Sequence, residues 1–238
     1  MDLNNEITTM KNYILLAFVA LLTACASSPQ LPVTVQDDFW QANTEKKKIG
    51  IIMSNIPELD VHLPGANCLL CVAAAELANT KLSNHTKTLD HDNYPQILTT
   101  LSQLIEENGA EAVIINTPLN VKNLKKIKSK TPNTAKYDYS AIAEDKDLTH
   151  LLVLNVYALG FHREYSNYFP LSEPKAYLSG TSFLVNLQTN TYEWYTPLEF
   201  KKSVGDNWKE PPTFPGLTNA FYHVLASSKS AILEPLNK

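Results

Sequence analysis

The run LSQLIEENGAEAVIIN at residues 101–116 constrains the fold most, because it joins an amphipathic helix directly to an apolar strand. Apolar residues around it recur with the spacing of one helical face, at Ile97, Leu98, Leu101, Leu104 and Ile105. This spacing predicts a helix over residues 93–108, with Pro95 in its first turn and Gly109 at its end. The run that follows, EAVIIN at residues 111–116, is short, apolar and β-branched, which is typical of a buried strand.

The rest of the chain continues this mixture of helices and strands. Further strands are predicted at residues 48–53, 151–158, 176–187 and 191–197, the last two as a hairpin. Further helices are predicted at residues 68–79, 139–146 and 216–233, with Thr218 as the cap of the last, and the basic segment 119–130 is another helix candidate. Continuous apolar strands come first and alternating ones last. We therefore expect an α/β (α+β) fold, a mixed sheet of about five strands with helices packed on it.

The N-terminus has the pattern of a secretory signal. Lys11 supplies positive charge ahead of the apolar run 13–22, which is shorter than the roughly 20 apolar residues that span a bilayer. Acidic residues before Met10 are unfavourable in a signal, so we expect translation to start at Met10. Residues 1–24 are therefore predicted to be a signal peptide.

The end of this segment, Leu22-Thr23-Ala24-Cys25, resembles the lipobox of bacterial lipoproteins. In that family the cysteine is acylated, with palmitate among the acyl groups, and becomes the first residue of the mature chain. The resemblance implies a membrane anchor on Cys25, and Ala26 after it implies sorting to the outer membrane, facing the periplasm. Residues 25–46 are rich in polar residues, Ser and Pro and are expected to form a flexible tether. Residues 47–238 remain for a single domain.

The element order behind the lipobox resembles periplasmic lipoproteins with a TolB N-terminal-like domain. That group includes uncharacterised putative lipoproteins, activators of penicillin-binding proteins and the curli-secretion lipoprotein. The resemblance is carried by KIGIIM at residues 48–53, by the run at 101–116, and by YSAIAEDKDLTHLLVLNVYA at 139–158. It covers most of residues 48–233 by order and contributes no catalytic residues. The CLLC segment, residues 68–71, lies outside the common pattern.

Cys68 and Cys71 stand three residues apart at the start of an Ala-rich helix. With Cys25 lipidated, they remain as an even pair in an oxidising compartment, which favours a disulfide. The same spacing at a helix N-terminus also suits a thiol–disulfide oxidoreductase, with Cys68 as nucleophile and Cys71 as resolving thiol. A third hypothesis is a metal site completed by nearby histidines, for which the candidates are His62, His85 and His91. We predict the disulfide, with no metal and no cofactor.

The helix that begins at Cys68 is apolar nearly all round, so it is either buried or meets another surface. Its small residues would let another helix approach closely. Aromatic residues, which are enriched at binding interfaces, also cluster in the loop after residues 151–158. The predicted partner surface consists of Leu69, Leu70, Val72, Tyr165, Tyr168 and Phe169.

The net charge and the motifs that are missing from the sequence argue against several classes of function. The chain carries 20 Lys and Arg against 24 Asp and Glu, a net charge of -4, and so lacks the basic face of a nucleic-acid binder. The sequence contains no Gly-rich phosphate loop, GxSxG elbow or HExxH motif. We predict a non-enzymatic lipoprotein that binds a protein partner or its own copies in envelope assembly. The alternatives are the thiol–disulfide oxidoreductase and a metal-binding lipoprotein.

Overall fold

The structure is a computed structural model that describes residues 29–41, 46–129, 131–143 and 145–237, without the side chains of residues 206 and 207. The predicted signal peptide, residues 1–24, and the predicted lipidation site Cys25 lie outside the described residues. The chain divides into two units, residues 1–31 and 32–238, and the fold is that of the second unit.

The strands form one mixed sheet and one small hairpin. They are β1 (Lys48–Ser54), β2 (Asp60–His62), β3 (Glu111–Leu119), β4 (His150–His162), β5 (Tyr165–Ser166), β6 (Phe169–Pro170), β7 (Lys175–Asn186) and β8 (Thr191–Lys202). The sheet has the order β3-β1-β4-β7-β8, and β2 pairs with the last residues of β4. β4 is parallel to β1 and β2, and β1 is also parallel to β3, whereas β7 runs antiparallel to both of its neighbours, β4 and β8. The predicted mixed α+β class is confirmed.

Helices occur in the predicted regions of the chain, but their first and last residues differ from the prediction. They are α1 (Leu69–Ala78), α2 (Thr80–Thr86), α3 (Ile97–Glu107), α4 (Ser140–Ala143) and α5 (Pro215–Leu233). α3 buries the predicted apolar face, and Gly109 after it adopts a φ of 87°, which glycine accommodates without strain.

Three helix predictions were wrong in detail. Of the basic segment 119–130, the described residues 119–129 contain only a single 3-10 turn, because the Asn120 side chain accepts a hydrogen bond from the Lys122 N–H and the chain then extends. The predicted helix 139–146 is reduced to α4. Thr218 is not the cap of α5, which begins at Pro215.

β4 divides the apolar interior into two cores, one on each face of the sheet. Leu152 and Leu154 pack on the face that α3 and α5 cover. Leu151 and Val153 pack on the opposite face, with Tyr139 and other buried side chains. All four aliphatic residues are fully buried. A strand that is apolar at successive positions can bury all its side chains only where both faces of the sheet are covered.

The segment 33–40, predicted to belong to the flexible tether 25–46, lies against the sheet. Val33 and Tyr195 exchange two backbone hydrogen bonds of 2.9 Å. Phe39 is buried, and its ring meets the ring of His150 edge-on at 5.3 Å between centroids. The apolar residues of this otherwise polar segment hold it on the domain.

Gly160 in β4 offers a test of the β2–β4 pairing. Its φ is 135°, and a Cβ there would collide with the backbone carbonyl oxygen of Asp60 in β2. We expect Gly160→Ala to lower the free energy of unfolding by at least about 2 kcal/mol, measured by urea denaturation. The matched control is Gly109→Ala, also at positive φ but facing open space, with an expected loss of about 1 kcal/mol. Equal losses would show that the Asp60 carbonyl imposes no constraint.

Candidate functional site

The structure contains the predicted disulfide between Cys68 and Cys71, with 4.9 Å between their Cα atoms. Cys68 is also the N-cap of α1, since its Sγ accepts a hydrogen bond from the Cys71 N–H at 3.0 Å. Cys68 is exposed, whereas Cys71 is buried. The bridge therefore closes the first turn of α1 and joins its exposed start to its buried face.

α1 has one buried and one exposed face, although nearly all its residues are apolar. Cys71 and Ala75 face inward and pack with Ala66 and Tyr165. The large side chains of the other face are exposed, with Leu69 at 87%. The exposed ones are Leu69, Leu70, Val72 and Leu77. The sequence predicted that this helix is either buried or meets another surface. In the structure its large apolar side chains face outward.

The hairpin of β5 and β6 adds its own exposed apolar residues beside α1. Phe169 is 72% exposed, and the Tyr168 hydroxyl lies 3.6 Å from the Sγ of Cys68. We call the combined set the apolar surface; it comprises Leu69, Leu70, Val72, Leu77, Tyr168, Phe169 and Leu171. A soluble domain seldom exposes so many large apolar side chains together without a binding role.

Tyr165, predicted as part of the partner surface, is instead buried, with 4% exposure. Its hydroxyl accepts a hydrogen bond of 2.7 Å from the Asn79 side chain, at the end of α1. The side-chain Oδ1 of Asn79 in turn accepts a hydrogen bond of 3.0 Å from the Arg163 guanidinium. Because the tyrosine hydroxyl has this buried partner, the side chain turns inward and fixes the hairpin to α1.

Two residues of the apolar surface, Leu77 and Leu171, were not among those predicted from the sequence. Leu77 lies seven residues after Leu70, so continuing the helical stripe of α1 would have found it. Leu171 follows β6 in an irregular segment, where no periodicity indicates which way a side chain points.

The histidines proposed as metal ligands do not join the cysteines. Both sulfurs are consumed by the disulfide, so neither is a thiolate ligand. The Nε2 of His85 lies 2.7 Å from the Thr218 hydroxyl, and burial lowers the pKa of this histidine. His62 lines a cavity of about 550 Å³ beside α1. Among the described residues no group of three or more His, Cys, Asp or Glu is placed to hold a metal.

A second cavity, of about 750 Å³, lies at the other end of the sheet, where β4 begins. His150, Phe39 and Lys47 contribute to its lining. Burial, and secondarily the charge of Lys47, lower the pKa of His150 to about 4. The imidazole is therefore neutral at neutral pH, and its Nδ1 lies 2.9 Å from the Thr149 hydroxyl.

Comparisons with known proteins give distant structural likenesses. No family model matches the sequence, and no curated protein is detectably similar. A dodecamer-forming PelC variant of Paraburkholderia phytofirmans is 9% identical, with 89% of this chain and 94% of that chain covered and a TM-score of 0.32. The hypothetical protein CT253 of Chlamydia trachomatis is 10% identical, with coverages of 79% and 99% and a TM-score of 0.30. The lipoprotein GNA1162 of Neisseria meningitidis is 12% identical, with coverages of 76% and 99% and a TM-score of 0.27. At these values the likenesses carry no argument about function.

The buried His150 makes stability depend on pH. Its pKa falls from 6.5 in the unfolded chain to about 4 in the fold, so between these values the unfolded state binds more protons. We expect the free energy of unfolding to drop by about 2 kcal/mol through this group between pH 7.5 and pH 5. His150→Phe keeps the ring contact with Phe39 and leaves the Thr149 hydroxyl bonded to Lys48. Urea denaturation at both pH values should show a smaller pH effect in His150→Phe; an unchanged effect would contradict the assignment.

Proposed function

We propose that this chain is a periplasm-facing outer-membrane lipoprotein, anchored through lipid on Cys25, that associates with its own copies through the apolar surface. Its role is non-enzymatic, in the assembly of an envelope structure. The observation that carries the proposal is the outward-facing apolar side of α1, which a disulfide and a buried polar network hold in place.

The anchor is supported by the N-terminal sequence. A charged start, a short apolar run and Leu22-Thr23-Ala24-Cys25 follow one another in the order of a lipoprotein signal. Within the part of the chain that the structure describes, no helix is long and apolar enough to cross a bilayer. An acyl chain on Cys25 would therefore supply the membrane attachment that we propose.

The position of the apolar surface favours a partner in the periplasm over the bilayer. The domain begins with Val33, which pairs with Tyr195 of β8. Across the sheet, Tyr195 is level with Phe183 of β7 and with Val153, near the start of β4. The hairpin follows the opposite end of β4, about 30 Å further along the strand at 3.3 Å per residue. The chain therefore enters the domain far from the apolar surface, which leaves this surface available to another protein.

The exposed face of α1 is self-complementary, which favours a second copy as its partner. Leu70, Ala74 and Leu77 lie on one helical stripe, a small residue between two large ones. In an antiparallel contact centred on Ala74, Leu70 of one copy meets Leu77 of the other, and the two Ala74 residues allow close approach. A two-fold contact of this kind uses the same patch on both copies. Glu76 lies two positions from Ala74 and so projects away from the contact.

Lipid attachment predicts a loss of labelling on substitution of the anchor. Cys25→Ala should abolish incorporation of an alkyne-tagged palmitate and leave an unprocessed precursor, seen by gel and intact mass. The matched control is Ala26→Asp, which keeps the label but should redirect the protein from the outer to the inner membrane fraction. Labelling that persists in Cys25→Ala would show that the anchor lies elsewhere.

The two-fold contact predicts covalent dimers from a cysteine at its centre. Ala74→Cys in intact cells should give a reducible band of twice the monomer mass on a non-reducing gel, because the two thiols meet across the axis. Ala226→Cys, on the exposed side of α5, is the matched control and should stay monomeric. Adding Leu70→Asp to Ala74→Cys should remove the dimer, since a carboxylate is costly to bury in an apolar contact.

Three other results would contradict self-association or change the proposed function. Cross-linking of Ala74→Cys to a protein of different mass would replace self-association with a partner protein on the same surface. Equal dimer formation by Ala74→Cys and Ala226→Cys would show random collision and would remove the support for the contact. A loss of cellular role in Cys68→Ser, with dimerisation retained, would favour the thiol–disulfide oxidoreductase.

A further inference from the structure

His62 and His162 occupy matching positions at the far end of the sheet. Each is the last residue of its strand, β2 and β4, and the parallel register pairs them directly. Adjacent strands are about 4.8 Å apart, so the two imidazoles project from neighbouring points of the backbone. Both rings contact Tyr177, with centroid distances of 5.6 Å from His62 and 5.1 Å from His162.

Each imidazole has one nitrogen without a hydrogen-bond partner among the described residues. These atoms are Nε2 of His62 and Nδ1 of His162, and both are shielded from solvent. His162 as a whole is 8% exposed. A buried polar atom left unpaired is costly, and native structures seldom keep one without a water, an ion or a functional reason. Here two such atoms belong to two histidines that are paired on neighbouring strands.

The surroundings of the pair favour a cation. Both histidines line the cavity beside α1, together with the carboxylate residues Asp60 and Glu76. A cation near the pair is Lys201, whose Nζ lies 5.3 Å from the centroid of the Tyr177 ring. Lys201 itself is paired with Glu199 at 3.1 Å.

We propose that His62 Nε2 and His162 Nδ1 bind a late first-row transition-metal ion, Cu²⁺ or Zn²⁺. Imidazole nitrogen is a preferred ligand of these ions, and Cu²⁺ binds most tightly in this series. Because the described residues offer no third ligand already in place, the protein supplies two nitrogens and the cavity supplies room for water. Glu76, on an exposed position of α1, and Asp60, on an exposed position of β2, are the carboxylate residues of the cavity lining.

The first experiment uses the unaltered full chain, purified in detergent without a histidine tag or chelator. One equivalent of Cu²⁺ is added, followed by ascorbate and peroxide, which oxidise the histidines that hold the ion. Peptide mass analysis should find oxidation at His62 and His162 and not at His223, which is exposed on α5. Oxidation confined to His85, His91 or His223, or absent, would overturn the proposal. This test needs no variant and so does not depend on a variant folding.

The second experiment measures Cu²⁺ affinity by titration against a competing chelator. We expect His62→Gln and His162→Gln each to weaken binding by more than about tenfold, since loss of an outer-shell partner alone costs about that much. His223→Gln is the control and should bind like the natural chain, with unchanged near-ultraviolet circular dichroism in all three. Equal affinity in the natural chain and in His162→Gln would overturn the site. The proposed metal site does not depend on self-association. Loss of Cu²⁺ binding would therefore leave the Ala74→Cys dimer as evidence for self-association, and the reverse also holds.

Discussion

The pairing of β4 on both of its edges organises the molecule. On one edge β7 follows it for its whole length, from the pair His150–Asn186 to the pair His162–Lys175. On the other edge β1 accompanies its first half, and β2 replaces β1 at its last three residues. The thirteen-residue strand is therefore long enough to pair with two neighbours in succession along this edge.

The second half of β4 determines how α1 is held. The chain leaves β4 through Arg163 and Tyr165, and both reach Asn79 at the end of α1 through hydrogen bonds. The backbone of Tyr165 also donates to the Pro64 carbonyl oxygen, which ties the hairpin to the loop before the helix. On its inner side α1 presents Cys71 and Ala75, so its leucines lie on the other side of the helix and face outward. The exposed apolar side of α1 is thus the one opposite the side that these contacts hold.

The two ends of β4 have different characters. At its first residue, His150 meets Phe39 of the N-terminal segment, close to where the domain begins. At its last residue, His162 meets His62 and Tyr177 under α1. Both histidines are buried, but His150 has a hydroxyl partner whereas His162 keeps a nitrogen unpaired. The first is accounted for by packing, and the second is the basis of the metal site that we propose.

Much of this was accessible from the residues alone. The helix spacing of Leu101 and its neighbours, the apolar strands and the even pair of cysteines behind an expected export signal suffice to predict the mixed sheet, α3 and the Cys68–Cys71 bridge, because periodicity and cysteine chemistry are local properties. The inward turn of Tyr165, the outward face of α1 and the meeting of His62 with His162 were not accessible. The first two depend on how α1 packs against the hairpin, and the third depends on the register between β2 and β4, whose paired histidines lie a hundred residues apart in the chain. Register is set by the packing of the whole sheet, and a shift of one residue in β2 would turn the His62 side chain to the other face of the sheet.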